Sequence, residues 1–350
     1  MNKNLIQISG DVNIPARWLK EEHKHLTDHK RGSKIAAITY EKTDLWDREK
    51  KAYRLRSCGE TIVYAENPGG GDPISISAMR CGIRLCPSCS WIRARKIFQN
   101  VYYVITDKAF SGKQFIFITL TVKNVPGDKL SSAIKHINDG IRKLTSNRHM
   151  PFRKSFLGTF RAVEITYNRF RNDYHHHIHI MAAVEPGYFR KSNPDYISHE
   201  RLLKLWKEVC NLNYRPRVHI KKVRNSTRKQ VAEVAKYTVK TADYLNRPNV
   251  IQVLDPALRG KRLIAYGGLF KTVKAKLNLP DEYQLEEFPK LTVEELLHNP
   301  YIRKIIFEWK MGAYHVSLME PSTDPDEWLE PGRVLAELIK WQTSPRGQGV

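Results

Sequence analysis

The stretch that decides the fold is Asp173–Val184, DYHHHIHIMAAV. Histidine holds positions 175, 176, 177 and 179, and an apolar run follows at once. In a strand, alternate residues share a face. His177, His179, Met181 and Ala183 then point one way, and Ile178, Ile180, Ala182 and Val184 point the other way, into a core. Two imidazoles at i and i+2 are well placed to hold one divalent ion. The run just upstream, FRAVEITY at 160–167, is joined to it by the polar turn NRFRND. If the two form a hairpin, paired residues have numbers summing to about 341–343, and Glu164 lies opposite His177 or His179. Opposed residues in an antiparallel pair share a face, with Cβ atoms ~4.5–5.5 Å apart. A slip of one residue would pair Glu164 with Ile178, on the wrong face. His177, His179 and Glu164 are therefore the expected ligands of a metal ion. Imidazole plus carboxylate with open positions suits Mn²⁺ or Mg²⁺ acting on phosphate, and zinc is also compatible. The alternative is a set of partly exposed strand histidines on a basic surface, which leaves a glutamate between Val163 and Ile165 unexplained.

Working outward, the patterning is that of an α+β protein. QFIFITLTVKN (114–124) is rich in aromatic and branched residues and reads as a strand. Residues 128–145 read as a helix, with Leu130, Ile134, Ile137, Ile141 and Leu144 at helical spacing. Helices are also expected over 91–107, 199–211 and 227–245, and strands over RPRVHIKKV (215–223) and RLIAYGG (262–268).

The formal charge is +23 over 350 residues, and it is uneven. Residues 281–350 hold 7 Lys/Arg against 13 Asp/Glu, a net of −6, which leaves +29 on residues 1–280. A basic body of this kind points to a polyanion partner, most often nucleic acid. No apolar run reaches the ~18–20 residues of a membrane span, so no membrane partner is expected. The start, MNKNLIQISGDVNIPARW, lacks the apolar segment of a signal peptide. A cytoplasmic location is expected, with reduced cysteines. Four of the five cysteines fall in one region: Cys58, then Cys81, Cys86 and Cys89 in CGIRLCPSC. Four thiolates with Cys-x-x-Cys spacing suit a structural Zn²⁺ with no open position. Arg84, Arg93, Arg95 and Lys96 surround this segment and are candidate DNA contacts. Cys210 lies outside the pattern and reads as core.

In STRKQVAEVAKYTVKTADYL, Thr227 and Gln230 are placed as a capping box. On a continuous helix, Glu233, Tyr237, Lys240 and Tyr244 fall within about 60° of one another. Such a set is often only a solvated face. It also brings a phenol that can act as a nucleophile next to an ammonium and a carboxylate.

Three motifs in order resemble those of the rolling-circle replication initiators of small bacterial plasmids, within the HUH endonuclease superfamily. FITLTVKN (117–124) resembles the first. YHHHIHIMAAV (174–184) resembles the second, with His176 where proline is usual. EVAKYTVKTADYL (233–245) resembles the third, with Tyr237 and Lys240 as Tyr-x-x-Lys. RLIAYGGLFK (262–271) is similar to the stretch that follows. The resemblance covers roughly residues 55–275.

It implies a central antiparallel sheet flanked by helices. Tyr237 would attack a phosphodiester of single-stranded origin DNA, and the ion on His177, His179 and Glu164 would polarise the scissile phosphate. Lys240 would hold that phosphate. The glutamate one turn before a single tyrosine resembles relatives in which it activates water, a role that would fall to Glu233. Double-stranded origin DNA, a host helicase and a host polymerase are the implied partners. The expected division is a basic arm (1–57, irregular or helical), a zinc module (58–98), the endonuclease domain (99–280) and an acidic accessory segment (281–350). A relaxase or single-strand transposase shares the strand histidines and the tyrosine. A non-catalytic zinc-containing DNA-binding regulator accounts for the charge and cysteines but not for the histidine pair.

Overall fold

The computed structural model describes residues 16–65, 73–147, 149–190, 192–223, 231–232, 239–279 and 304–319. The chain divides into two compact units, Met1–Cys89 with Glu286–Val350, and Ser90–Leu285.

The first unit is built on two helices, α1 (Ala16–Glu41) and α2 (Arg48–Ser57), and four short strands. The strands are β1 (Thr61–Ala65), β2 (Ile74–Ala78), β8 (Lys304–Lys310) and β9 (Ala313–Met319). They form one antiparallel sheet in the order β2-β1-β8-β9. Of the expected arm, the described residues from Ala16 onward fold into this unit: α1 buries Trp18, Leu19, Leu26, Ala36, Ala37 and Tyr40. Trp18 meets Tyr64 of β1 edge-on at 5.1 Å. The charged appearance of the sequence hides this face, because α1 also buries polar residues. Lys30 is fully buried, and burial pushes its ammonium down to about 8. It donates to the carbonyls of Arg56 and Cys58, fixing the chain where it leaves α2. Within the acidic stretch 281–350, β8 and β9 are part of this sheet through pairs such as Ile62↔Phe307.

The second unit is centred on a five-stranded antiparallel sheet in the order β6-β3-β5-β4-β7. Its strands are β3 (Gln114–Thr121), β4 (Gly158–Asn168), β5 (Asp173–Val184), β6 (Val218–Lys222) and β7 (Ile264–Gly268). β4 and β5 form the expected hairpin in the expected register, with Glu164 opposite His177. Its tip is held by Asn168, whose Oδ1 accepts from the backbone N–H groups of Phe170 and Arg171. Ile118, Val163, Ile178 and Ile180 face one side, which α4 (Leu130–Ser146) covers with Ile134, Ile137, Ile141 and Leu144. Burying each such side chain contributes about 1.5–3 kcal/mol. Arg161 Nη1 donates to Asn138 Oδ1 at 2.7 Å and ties α4 to this face. On the opposite face, Phe160, Ala162, Met181 and Ala183 pack with residues of α3 (Pro87–Thr106) and the helix Leu269–Lys276. That core fills one end of the face and leaves the other end to polar residues of β3, β4 and β5. Cys210 is buried against Gly140, and burial pushes its thiol up to about 12, as suits a core cysteine.

The helix expected over 227–245 is not continuous among the described residues. Val231 and Ala232 are helical, but Val239 makes a parallel bridge to Ile165. Lys240 is extended (φ −69°, ψ 135°), and Thr241–Tyr244 form a separate turn. At Val239 a β-branched residue pairs with the sheet and is not helical. Tyr244 is therefore buried while Lys240 is exposed, and the two do not share one exposed face. Glu233 and Tyr237 lie outside the described residues. Among those described, no helix is long and apolar enough to cross a membrane.

Candidate metal centre

The polar end of the sheet face brings Glu164, His177 and His179 together. Glu164 Oε2 lies 3.0 Å from His179 Nε2 and 3.3 Å from His177 Nε2, and the two imidazole nitrogens are 3.1 Å apart. An ion held at roughly 2.1 Å by ligands at right angles separates neighbouring donor atoms by about 3.0 Å. The triangle therefore fits one octahedral ion with three adjacent protein ligands. The three side chains keep 11–12% of their surface exposed, so the remaining positions can be reached from solvent. Burial alone would raise the Glu164 carboxyl. The hydrogen bonds to His177 and His179 outweigh it and hold the group well below the usual carboxylate range.

Three neighbours that sequence reasoning missed position these ligands. Thr119 of β3 pairs with His179, and its hydroxyl lies 3.1 Å from His179 Nδ1. His175 stacks on His177 at 4.9 Å. Its Nδ1 meets Asn124 Oδ1 at 2.9 Å, and Asn124 in turn donates to Asp173. The signal for His175 was present, because it falls on the face of His177 and His179 by strand alternation; Thr119 is set there by the β3–β5 register, which the sequence does not print. His176 points the other way, is buried, and is pushed down to about 4 by burial, so it stays neutral. Partners of metal-bound imidazoles fix ring orientation, and losing one costs about 10–100-fold in affinity. Thr119→Val should thus weaken Mn²⁺ binding by about that factor while leaving the thermal midpoint nearly unchanged. Calorimetric titration with Mn²⁺ checks this.

Lys240 is the described residue of the third motif that reaches the cluster, with Nζ 4.0 Å from Glu164 Oε1. The parallel bridge from Ile165 to Val239 places it there: Lys240 follows Val239, and Glu164 precedes Ile165.

In the first unit, Cys58, Cys81, Cys86 and Cys89 form a buried cluster. Sulfur–sulfur distances of 3.5 Å (Cys58–Cys89, Cys58–Cys86) and 3.7 Å (Cys81–Cys89) are close to the edge of about 3.7–3.8 Å that a tetrahedron with 2.3 Å metal–sulfur bonds requires. Gly59 and Gly82 take positive φ (70° and 68°) and turn the chain after Cys58 and Cys81. Ser33 of α1 bonds Cys86 Sγ at 3.3 Å, and the Cys89 N–H points at the same sulfur. Burial and the neighbouring sulfurs push Cys81 and Cys86 well above the usual thiol range. Cys89 is held well below it by hydrogen bonds from the other three and by Arg80. The donor set, four thiols and no carboxylate, is one that Zn²⁺ takes. Arg84 is half-buried in the turn between Cys81 and Cys86. On α3, Arg93 and Lys96 are half-buried, and Arg95 is exposed with its guanidinium 4.7 Å from the Trp91 ring centroid.

The family model described as "Replication protein" (Rep_1) matches residues 75–316, and so includes β8 and part of β9. The chain is 35% identical over 295 residues to a "Protein rep" of a Bacillus species, covering 76% of this chain and 92% of that protein. It is 30% identical over 282 residues to a "Protein rep" of Streptococcus pneumoniae serotype 2, covering 75% and 86%. A "Protein rep" of Staphylococcus aureus is 37% identical over 169 residues, covering 48% and 72%. No solved structure matches the chain at a significant level. The chain belongs to the Rep replication-protein family, the initiators of plasmid rolling-circle replication that its three motifs resemble.

Proposed function

We propose that the chain starts plasmid replication as a site-specific nicking and rejoining enzyme of the HUH type, with Tyr237 as the nucleophile. One observation carries this reading: the Glu164–His177–His179 triangle, with Lys240 of the tyrosine motif 4.0 Å from its carboxylate. A chain segment of three residues spans at most about 11 Å, and Tyr237 is three residues from Lys240.

A divalent ion bound to the triangle, Mn²⁺ or Mg²⁺, supplies Lewis-acid polarisation of the scissile phosphate. Lys240 adds positive charge beside that phosphate and favours the ionised phenol. The Tyr237 oxygen attacks phosphorus, the bond to the 3′-oxygen breaks, and that oxygen takes up a proton from water, equivalent to the one the phenol gave up, and leaves as a 3′-OH. The 5′-phosphate stays on the tyrosine, which conserves the bond for rejoining. The free 3′-OH serves a host polymerase as primer, with a host helicase opening the duplex ahead of it. Glu233 accepts a proton from water to end the cycle by hydrolysis. The cysteine cluster holds Zn²⁺ as a structural ion, with Arg84, Arg93, Arg95 and Lys96 as DNA contacts around it. A cytoplasmic location suits these activities.

The test is a denaturing gel of labelled single-stranded origin oligonucleotide with Mn²⁺, followed by mass spectrometry of the linked peptide. The expected adduct lies on Tyr237. Glu233→Ala should still form it but accumulate protein-linked or over-length products. An adduct on the buried Tyr244 would show that the nucleophile has been misassigned.

A further inference from the structure

On the face of the sheet opposite the metal centre lies an open groove of about 660 Å³, walled by α4, the helix Pro151–Ser155, β4 and the loop into β7. Six cations line it, Lys135, Arg142, Arg153, Arg161, Lys261 and Arg262, against one carboxylate, Asp139. Gly158 and Gly268 form part of the floor. A Cβ on either would meet opposing backbone at 2.5 or 2.4 Å, so backbone packs directly on backbone there and the floor is held close. Among the described residues, Lys135, Arg153 and Arg262 stand exposed without an ion-pair partner. Arg142 is matched by Asp139 at 3.1 Å.

We propose that this groove is a second DNA site, which grips the phosphate backbone of duplex DNA while the opposite face handles the single strand. The inference rests on the function proposed above. The choice of duplex follows from what the groove lacks. Sites for single strands combine cations with exposed rings on which bases stack. Here Phe152 and Phe156 are buried, and Tyr266 packs on Phe160 at 4.8 Å with Lys274 over its ring. Charge without a stacking surface suits a stacked duplex whose phosphates face outward. Arg161, held by Asn138, and the half-buried Lys261 lie beneath the exposed cations at the rim of the groove.

Each phosphate contact adds about 0.9 to the slope of log affinity against log salt for duplex DNA. The combined variant K135Q/R153Q/R262Q should therefore lower that slope by about 2–3 for a duplex origin fragment. Duplex affinity at about 0.1 M salt should fall roughly ten- to a hundredfold. Nicking of a short single-stranded oligonucleotide at saturating concentration should be unchanged. Replacing three exposed lysines elsewhere, Lys204, Lys207 and Lys221, by glutamine should leave the slope within about one unit of wild type. The thermal midpoints of both variants confirm folding. An unchanged slope in the groove variant, an equal loss in the control, or an equal loss of single-strand affinity would each overturn the assignment. The slope is read from binding alone, so a wild-type protein that failed to nick would defeat the proposed function and not this site.

Discussion

His179→Ala is expected to lower nicking of single-stranded origin DNA by about 10³-fold or more, with duplex binding within about twofold of wild type. A Lewis-acid contact to a phosphoryl oxygen contributes several kcal/mol to the transition state, and each 1.36 kcal/mol is a factor of ten in rate. His179 is central to the triangle, 3.0 Å from Glu164 and 3.1 Å from His177, and it is the ligand oriented by Thr119. Alanine leaves two ligands on one strand pair and removes the best-supported one. Folding should survive, because the site lies at the polar end of the sheet face and not in the core around Phe160, Met181 and Phe270. Nicking is measured on supercoiled plasmid and on a labelled oligonucleotide with Mn²⁺, and binding by gel shift. Cleavage at the wild-type rate by the variant, or by wild type in excess EDTA, would remove the metal from the mechanism.

The hairpin that carries this site was legible because a sheet punishes a wrong register. Glu164 sits between Val163 and Ile165, and one step of slip would bury its carboxylate in a core of Ile178 and Ile180. The observed pairing of Glu164 with His177 is the one that avoids this cost. The four cysteines were legible for a similar reason: their side-chain chemistry tolerates few alternatives. The fold of the first unit was not legible. β1 pairs with β8 across more than 200 residues of chain, and neither strand carries a pattern that names its partner. The face of α1 was masked by Glu22, Lys30 and Ser33, polar groups buried because each has a partner: Tyr64, the carbonyl of Cys58, and Cys86 with Ser88. Periodicity counts such residues as surface. The run 227–245 misled in the opposite direction. Val231 and Ala232 are helical, but at Val239 tertiary pairing with Ile165 overrides helical propensity.

Cys86→Ser should cost the first unit its fold and the protein its zinc. Zinc binding by four thiolates supplies about 10–16 kcal/mol of apparent free energy at neutral pH, as much as or more than the whole ~5–15 kcal/mol stability of a typical domain. Cys86 is a central member: its sulfur touches Cys58, accepts from the Cys89 N–H, and is bonded by Ser33 of α1. Serine at this position offers a harder, poorly ionised oxygen to an ion that favours thiolate. The chain then loses the tie between α1, the turn after α2 and the start of α3. Bound zinc should fall from about one per chain to near zero, with aggregation on purification and proteolytic loss of residues before Cys89. Protons compete with the metal for all four sulfurs, so a chelator should strip wild-type protein faster at pH 5.5 than at pH 7.5. The measurements are elemental analysis and limited proteolysis. Active wild-type protein without zinc, or a soluble, protease-resistant Cys86→Ser, would show that the cluster is a set of buried thiols and not a metal site.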